Sequence, residues 1–299
     1  MKKYIYIITA VATVIACSPR EMQLPDDSVF GSEITLGARF EDTSTKSTLV
    51  DGTKVYWAPG DEIKVFAGTS SARFSTGIKE QSAECGFTGT IGKSDKYYAF
   101  YPYKEDVSYG GSVITATLPA VQEAVEGNVA NGYLYSAGVS SPDGSILFRN
   151  IVSGICFSVV SEGVVYVELK GNDGEVIAGG VKATVGDSSV KAEAASKEGD
   201  TVIRLNAPGG GAFKPGVNYY IVCIPTVFEK GITFSMVKED ETAARFTLDR
   251  KVELKRSAFG RISSADEGLS DKGAGFPEGE LPADNEIWYT TMDKRPFAI

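Results

Sequence analysis

Residues 51–66 read DGTKVYWAPGDEIKVF. The stretch holds two acids, Asp51 and Asp61, each beside a glycine, and an aromatic pair, Tyr56 and Trp57. A cation loop would need oxygen ligands at alternate positions of a tight turn, and that pattern is missing. Ten residues of extended chain would instead hold the two carboxylates roughly 30 Å apart. Two strands joined by turns fit better. Asp51-Gly52 makes one turn and Pro59-Gly60-Asp61 the next, with glycine supplying a positive φ. Val55 and Trp57 share one face of the first strand, Ile63 and Val65 one face of the second. On this reading Trp57 fills a core or an interface and is not a platform for sugars.

The same alternation runs through the chain. In EITLGARF, residues 33–40, the side chains of Ile34, Leu36, Ala38 and Phe40 fall on one face. Further strands are expected at 54–58, 62–67, 72–76, 85–89, 97–103, 113–118, 133–137 and 145–148. A second set is expected at 151–160, 164–169, 175–178, 181–185, 190–195, 201–205, 219–224, 232–238, 243–248, 251–254 and 259–262. Gly, Asp and Ser break these runs every eight to twelve residues, as in an all-β sandwich. The best helical window, 121–129, has apolar spacing but ends in Gly and Asn. A short strand (SILF) gives way to a long apolar one (IVSGICFSVV) near Arg149-Asn150. Two domains follow, 33–149 and 150–264, each of ordinary size.

Composition removes whole classes of chemistry. The chain has 299 residues, a net charge of −9 and no histidine. Ser-His and Cys-His nucleophile pairs, a His general base and His-ligated zinc are excluded. An acidic body repels phosphate backbones, so nucleic acid is excluded as a partner. Nothing in the sequence pairs two carboxylates across a cleft, as a glycosidase would need. The expectation is a protein that is no enzyme and holds no metal or cofactor. NAPGGGAFKPG (206–216) lacks the helix that a phosphate cradle requires and reads as a loop. KEDETAAR (238–245) reads as a solvated hairpin tip. The tyrosine-rich run 97–103 reads as a strand with one aromatic face inward.

The N-terminus, MKKYIYIITAVATVIAC, has a basic head, then thirteen mostly apolar residues, then Cys17. That run is too short to span a hydrocarbon core of about 30 Å. It reads as a secretory signal over 1–16. Val14-Ile15-Ala16-Cys17 resembles a bacterial lipobox, which implies lipidation of Cys17. The alternative is an ordinary signal peptide with a chance cysteine. Residues 17–32 read as a flexible tether and 265–299 as a linker and C-terminal tail. The apolar patch EIWYTT in that tail either docks on the body or once opened another domain. Cys85, Cys156 and Cys223 are three in number, so at least one is unpaired within the chain. A Cys156–Cys223 bridge is left open.

Taken in order, these pieces resemble the fimbrillin family of Bacteroidetes. The carrying elements are Lys46-Ser47-Thr48, Asp51-Gly52, Val55-Tyr56-Trp57, Gly60-Asp61 and Ile63-Lys64-Val65-Phe66. They continue with YYAFYPY (97–103), LPAVQ (118–122), YLYSA (133–137), LFRNIVSGICFSV (147–159) and VELKRSAFGRI (252–262). The resemblance implies two tandem transthyretin-like β-sandwich domains and lipid-anchored display at the outer membrane. In its polymerising members a protease removes the first strand after a basic residue, and a strand from the next subunit enters. Arg39 and Lys46 are the candidate cut points, and Ile34, Leu36, Ala38 and Phe40 mark the exchanged strand. Expected partners are the membrane, through the lipid, and other fimbrial subunits. The alternatives are a monomeric lipoprotein that binds a host glycan or protein, and a stalk that displays a C-terminal module.

Overall fold

The computed structural model describes residues 31–41, 56–130, 132–262 and 265, with three short strands beyond them. The described chain is all-β; its one helical turn is a 3-10 turn at Pro208–Gly210. The first strands are β1 Ser32–Phe40, β2 Glu62–Ala67, β3 Ser70–Thr76, β4 Glu84–Ile91, β5 Tyr98–Tyr101, β6 Ser108–Gly110, β7 Val113–Leu118 and β8 Val121–Glu123. Next come β9 Ser136–Val139, β10 Ser145–Asn150, β11 Ser153–Phe157, β12 Val164–Gly171, β13 Gly179–Val185, β14 Val190–Ala194, β15 Val202–Asn206 and β16 Tyr219–Cys223. The series ends with β17 Thr226–Phe228, β18 Ile232–Lys238, β19 Ala243–Leu248, β20 Val252–Leu254, β21 Ala258–Ile262, β22 Glu278–Gly279, β23 Trp288–Thr291 and β24 Pro296–Ala298.

Seven strands close a ring in the order β1-β10-β9-β5-β2-β3-β4. Its interior is filled by Leu36, Ala38, Phe40, Trp57, Ile63, Val65, Phe74, Phe87, Phe148 and their neighbours. The outer face of β2, β5 and β9 is also covered. Phe66, Phe100, Ala137 and Val139 meet Ile114, Ala116 and Leu118 of β7 and Val181, Ala183 and Val185 of β13. This is why the alternation in IKVF breaks down, with all four residues buried. The Lys64 ammonium, on the outer face, donates to the Glu105 carbonyl at 2.6 Å. A third core lies between the β16-β11-β21 sheet and strands β12, β15, β18 and β19, with Phe157, Val167, Leu205, Ile221 and Phe234 among its members. Sheets facing each other over apolar layers are sandwich architecture.

Strands from either side of Asn150 share two of the sheets. β7 pairs with β13 antiparallel, and β8 pairs with β15 parallel. β23 pairs antiparallel with β21, so the backbone of residues 288–291 docks on the body. Three expected strands differ from what forms: 133–137 is displaced to Ser136–Val139, and two others do not form among the described residues. Among the described residues of 54–58, Trp57 makes a single bridge to Ser82. Residues 175–178 form no strand: Ile177 and Ala178 bury their side chains, while both amides donate to the Asp200 carbonyl. Apolar alternation reports burial on one side, and here an isolated bridge to Asp200 and a bond from the Ile224 amide to the Ile177 carbonyl stand in for a ladder.

The three described cysteines are free. Ser153 lies opposite Cys223 and Cys156 opposite Tyr220, so the two cysteines stand three positions apart along the pair and point to opposite faces. That geometry closes the question of a Cys156–Cys223 bridge. Burial pushes the Cys223 thiol up to about 12, and that of half-buried Cys85 to about 11. Burial also raises Cys156. A raised thiol stays protonated at neutral pH and is a poor nucleophile. A thiol reagent at pH 8 should therefore label Cys85 slowly and spare Cys156 and Cys223 until the protein is denatured. Rapid labelling of either in the folded state would contradict this packing.

Candidate functional site

The site is the slot that β1 fills. β1 runs antiparallel to β4 over eight register pairs, from Ser32↔Ile91 to Arg39↔Glu84. On its other side Gly37–Phe40 run parallel to Ser145–Phe148 of β10. Both backbone edges are thus paired over its second half. Leu36, Ala38 and Phe40 are buried in the ring, and Ile34 packs at its margin. Thr35 and Arg39 face outward, with Thr35 in hydroxyl contact with Thr88 at 2.8 Å.

Trp57 holds this strand from inside. Its indole N–H donates to the Ala38 carbonyl at 3.0 Å. Its ring stacks on Phe40 at 4.1 Å between centroids. Phe87, Tyr101 and Phe148 meet the same indole edge-on at 4.9, 5.2 and 5.3 Å. The Pro59-Gly60-Asp61 turn sets that indole in place. Gly60 takes φ +84°, a conformation that side chains resist. Asp61 then folds back, accepting from the Ala58 amide at 2.7 Å and the Tyr101 hydroxyl at 3.1 Å. Asp61 therefore ties the turn to the core, in keeping with the turn read at Pro59-Gly60-Asp61.

The end of β1 is clamped from far along the chain. The Arg256 guanidinium makes two bonds to the Glu41 carboxylate, at 2.6 and 3.2 Å, and a third to the Asn150 carbonyl at 2.6 Å. Both side chains are largely buried, at 27% and 15% exposure, so water screens this pair less than the surface ion pairs elsewhere. A second clamp joins the two halves. Gln122, fully buried, accepts from the Val222 amide at 3.0 Å and donates to the Val222 carbonyl at 2.7 Å. Its Nε2 also donates to the Pro119 carbonyl at 3.2 Å. One side-chain amide thus stands in for a neighbouring strand on the open edge of β16.

Ile34, Leu36, Ala38 and Phe40 are brought together on one strand, as the alternation implied. Arg39 sits on the same strand with its side chain exposed. Cys17 and Lys46 lie outside the described residues, as do the signal and most of the tether and tail. Among the described residues no group of three or more Cys, Asp or Glu is placed to hold a metal ion. Glu41, Arg256 and the role of Gln122 were missed from sequence. Gln122 stands in the quoted LPAVQ element, but its partner is a hundred residues away.

No family model matches the chain, and no curated protein matches it in sequence. Among solved structures it is similar to a candidate cell adhesion protein from Bacteroides uniformis. That likeness has 13% identity and a TM-score of 0.46, and covers 82% of this chain and 96% of that one. A candidate cell adhesion protein from Bacteroides ovatus gives 12% identity, a TM-score of 0.46 and coverage of 85% and 99%. A fimbrial assembly protein from Parabacteroides distasonis gives 11%, 0.38, and 90% and 99%. Likenesses at these levels do not fix a function.

Proposed function

We propose that the chain is a lipid-anchored surface protein of fimbrillin type, a fimbrial subunit, anchor or adhesive scaffold that joins its neighbours by β-strand addition in the slot of β1. The organisation into modules 33–149 and 150–264 and the lipid on Cys17 belong to the same reading. One observation carries it: the first described strand completes a closed ring. Withdrawing it would unpair the facing edges of β4 and β10 and uncover Trp57, Phe87 and Phe148. An incoming strand with apolar side chains at alternate positions would satisfy both edges and refill the floor.

The two cut points are not equivalent. A protease binds its substrate as an extended strand with free edges. Arg39 is paired with Glu84 on one side and Leu147 on the other, so its peptide bonds are shielded until the ring opens. Cleavage after Lys46 would release β1 whole, Glu41 included, and leave Arg256 without that carboxylate. The expected result is an assembled fraction whose N-terminus follows Lys46, running as a ladder in mild detergent that collapses to monomer on full denaturation. Lys46→Ala should abolish the ladder. A single monomer band whose N-terminus remains at lipidated Cys17 would remove the reading, and in that case binding to a glycan array would identify a monomeric receptor.

A further inference from the structure

The β14-β13-β7-β6 sheet ends on β14, and β13 is its one neighbour among the described strands. The Ala195 amide donates to the Gly180 carbonyl at 2.8 Å, and the Gly186 amide to the Ser189 carbonyl at 2.9 Å. Between these, Glu193 pairs with Lys182 and Lys191 with Thr184. Antiparallel bonding alternates, so the odd-numbered residues of β14 turn their backbone groups to β13. The N–H and C=O groups of Val190, Ala192 and Ala194 therefore face away from the sheet. Their side chains pack on the apolar layer against the ring. Lys191 and Glu193 stand on the opposite face, 2.6 Å apart at Nζ and Oε2.

We propose that this edge pairs with the same edge of a second copy of the chain, antiparallel about a two-fold axis at Ala192, so that the sheet continues across the interface. The sequence VKAEA is self-complementary in that register. Ala192 meets Ala192 of the other copy, and Val190 meets Ala194, all through outward-facing backbone groups. Lys191 then falls opposite Glu193 at the non-hydrogen-bonded positions, where cross-strand side chains lie closest. The two adjacent registers set Lys191 against Lys191 or Glu193 against Glu193, and like charges directly opposite disfavour both. The contact is isologous and closes on itself, giving a dimer and no filament. It uses neither β1 nor its slot and stands apart from strand addition there.

The test is sedimentation of the full chain in mild detergent over a wide concentration range. The wild type should show a dimer that dissociates on dilution. Lys191→Glu and Glu193→Lys each place like charges at both closest positions and should weaken dimerisation by about tenfold or more. An equimolar mixture of the two variants restores opposite charges at both positions and should dimerise like the wild type. Ala192→Pro removes an outward amide that the β13 ladder does not use, so it should abolish the dimer while leaving the monomer's unfolding transition in place. A wild type that stays monomeric throughout would overturn the proposal. So would a dimer that survives both charge variants and Ala192→Pro, or variants that fail to associate when mixed.

Discussion

Trp57→Ala is expected to lower the stability of the protein by about 3–5 kcal/mol, the usual cost of emptying a buried tryptophan site. It should also loosen β1 ahead of the rest of the fold. The indole is fully buried, stacks on Phe40 and meets three more rings. Alanine leaves a cavity among rigid side chains that cannot collapse into it. It also leaves the Ala38 carbonyl without the indole N–H. Against a typical total of about 5–15 kcal/mol the loss is large. Thermal unfolding measures the total, and amide exchange shows where it falls. Protection should drop at Leu36, Ala38 and Phe40 more than along β12 and β18. Trp57→Phe keeps a ring and removes the donor, so it should cost less and still expose β1. A Phe234→Leu variant, in the separate core of the second half, should lower the melting temperature without singling out β1. If Trp57→Ala melts within a degree of the wild type, or loses protection evenly, Trp57 does not hold the strand.

That prediction rests on a part of the molecule that was legible in the sequence. Alternation in EITLGARF named the four side chains that share the inner face, and the alternation of Val55 and Trp57 before the Pro59-Gly60-Asp61 turn gave Trp57 a core or an interface to fill. Both signals are local: period two decides which side faces in, and Pro-Gly-Asp decides where the chain turns. What stayed hidden is either very short or very distant. β6, β8 and β17 have three residues each, too few for any period to show. Residues 121–129 carry apolar spacing that suits a helix, yet Val121–Glu123 join an edge of the far sheet and Ala124 enters its core. Glu41 and Arg256 lie 215 residues apart and carry no mark of their pairing. The run 175–178 looked like a strand because alternation records burial, whatever satisfies the backbone. The closed ring was equally out of reach, since it depends on β1 and β10 running parallel across a separation of about a hundred residues.

Gln122 offers the sharpest test of how the halves are joined. Gln122→Ala is expected to cost about 2–4 kcal/mol, because it leaves both polar groups of Val222 buried without that partner. The size of the side chain is a minor part of this. Gln122→Glu keeps the shape but replaces an amide donor with an oxygen that faces the carbonyls of Val222 and Pro119. Those carbonyls and the loss of water disfavour the ionised form, so the carboxyl pKa in the folded variant is raised above its unfolded value. The folded state then binds more protons than the unfolded state over that interval. Stability of Gln122→Glu should accordingly fall as pH rises through it and recover on acidification, while Gln122→Ala shows no such trend relative to the wild type. Denaturant unfolding at several pH values separates the two. Equal, pH-independent losses in both variants would mean that Gln122 acts by filling space, and that the halves are held by their shared sheets, the Arg256 clamp and the apolar layer between the ring and β13.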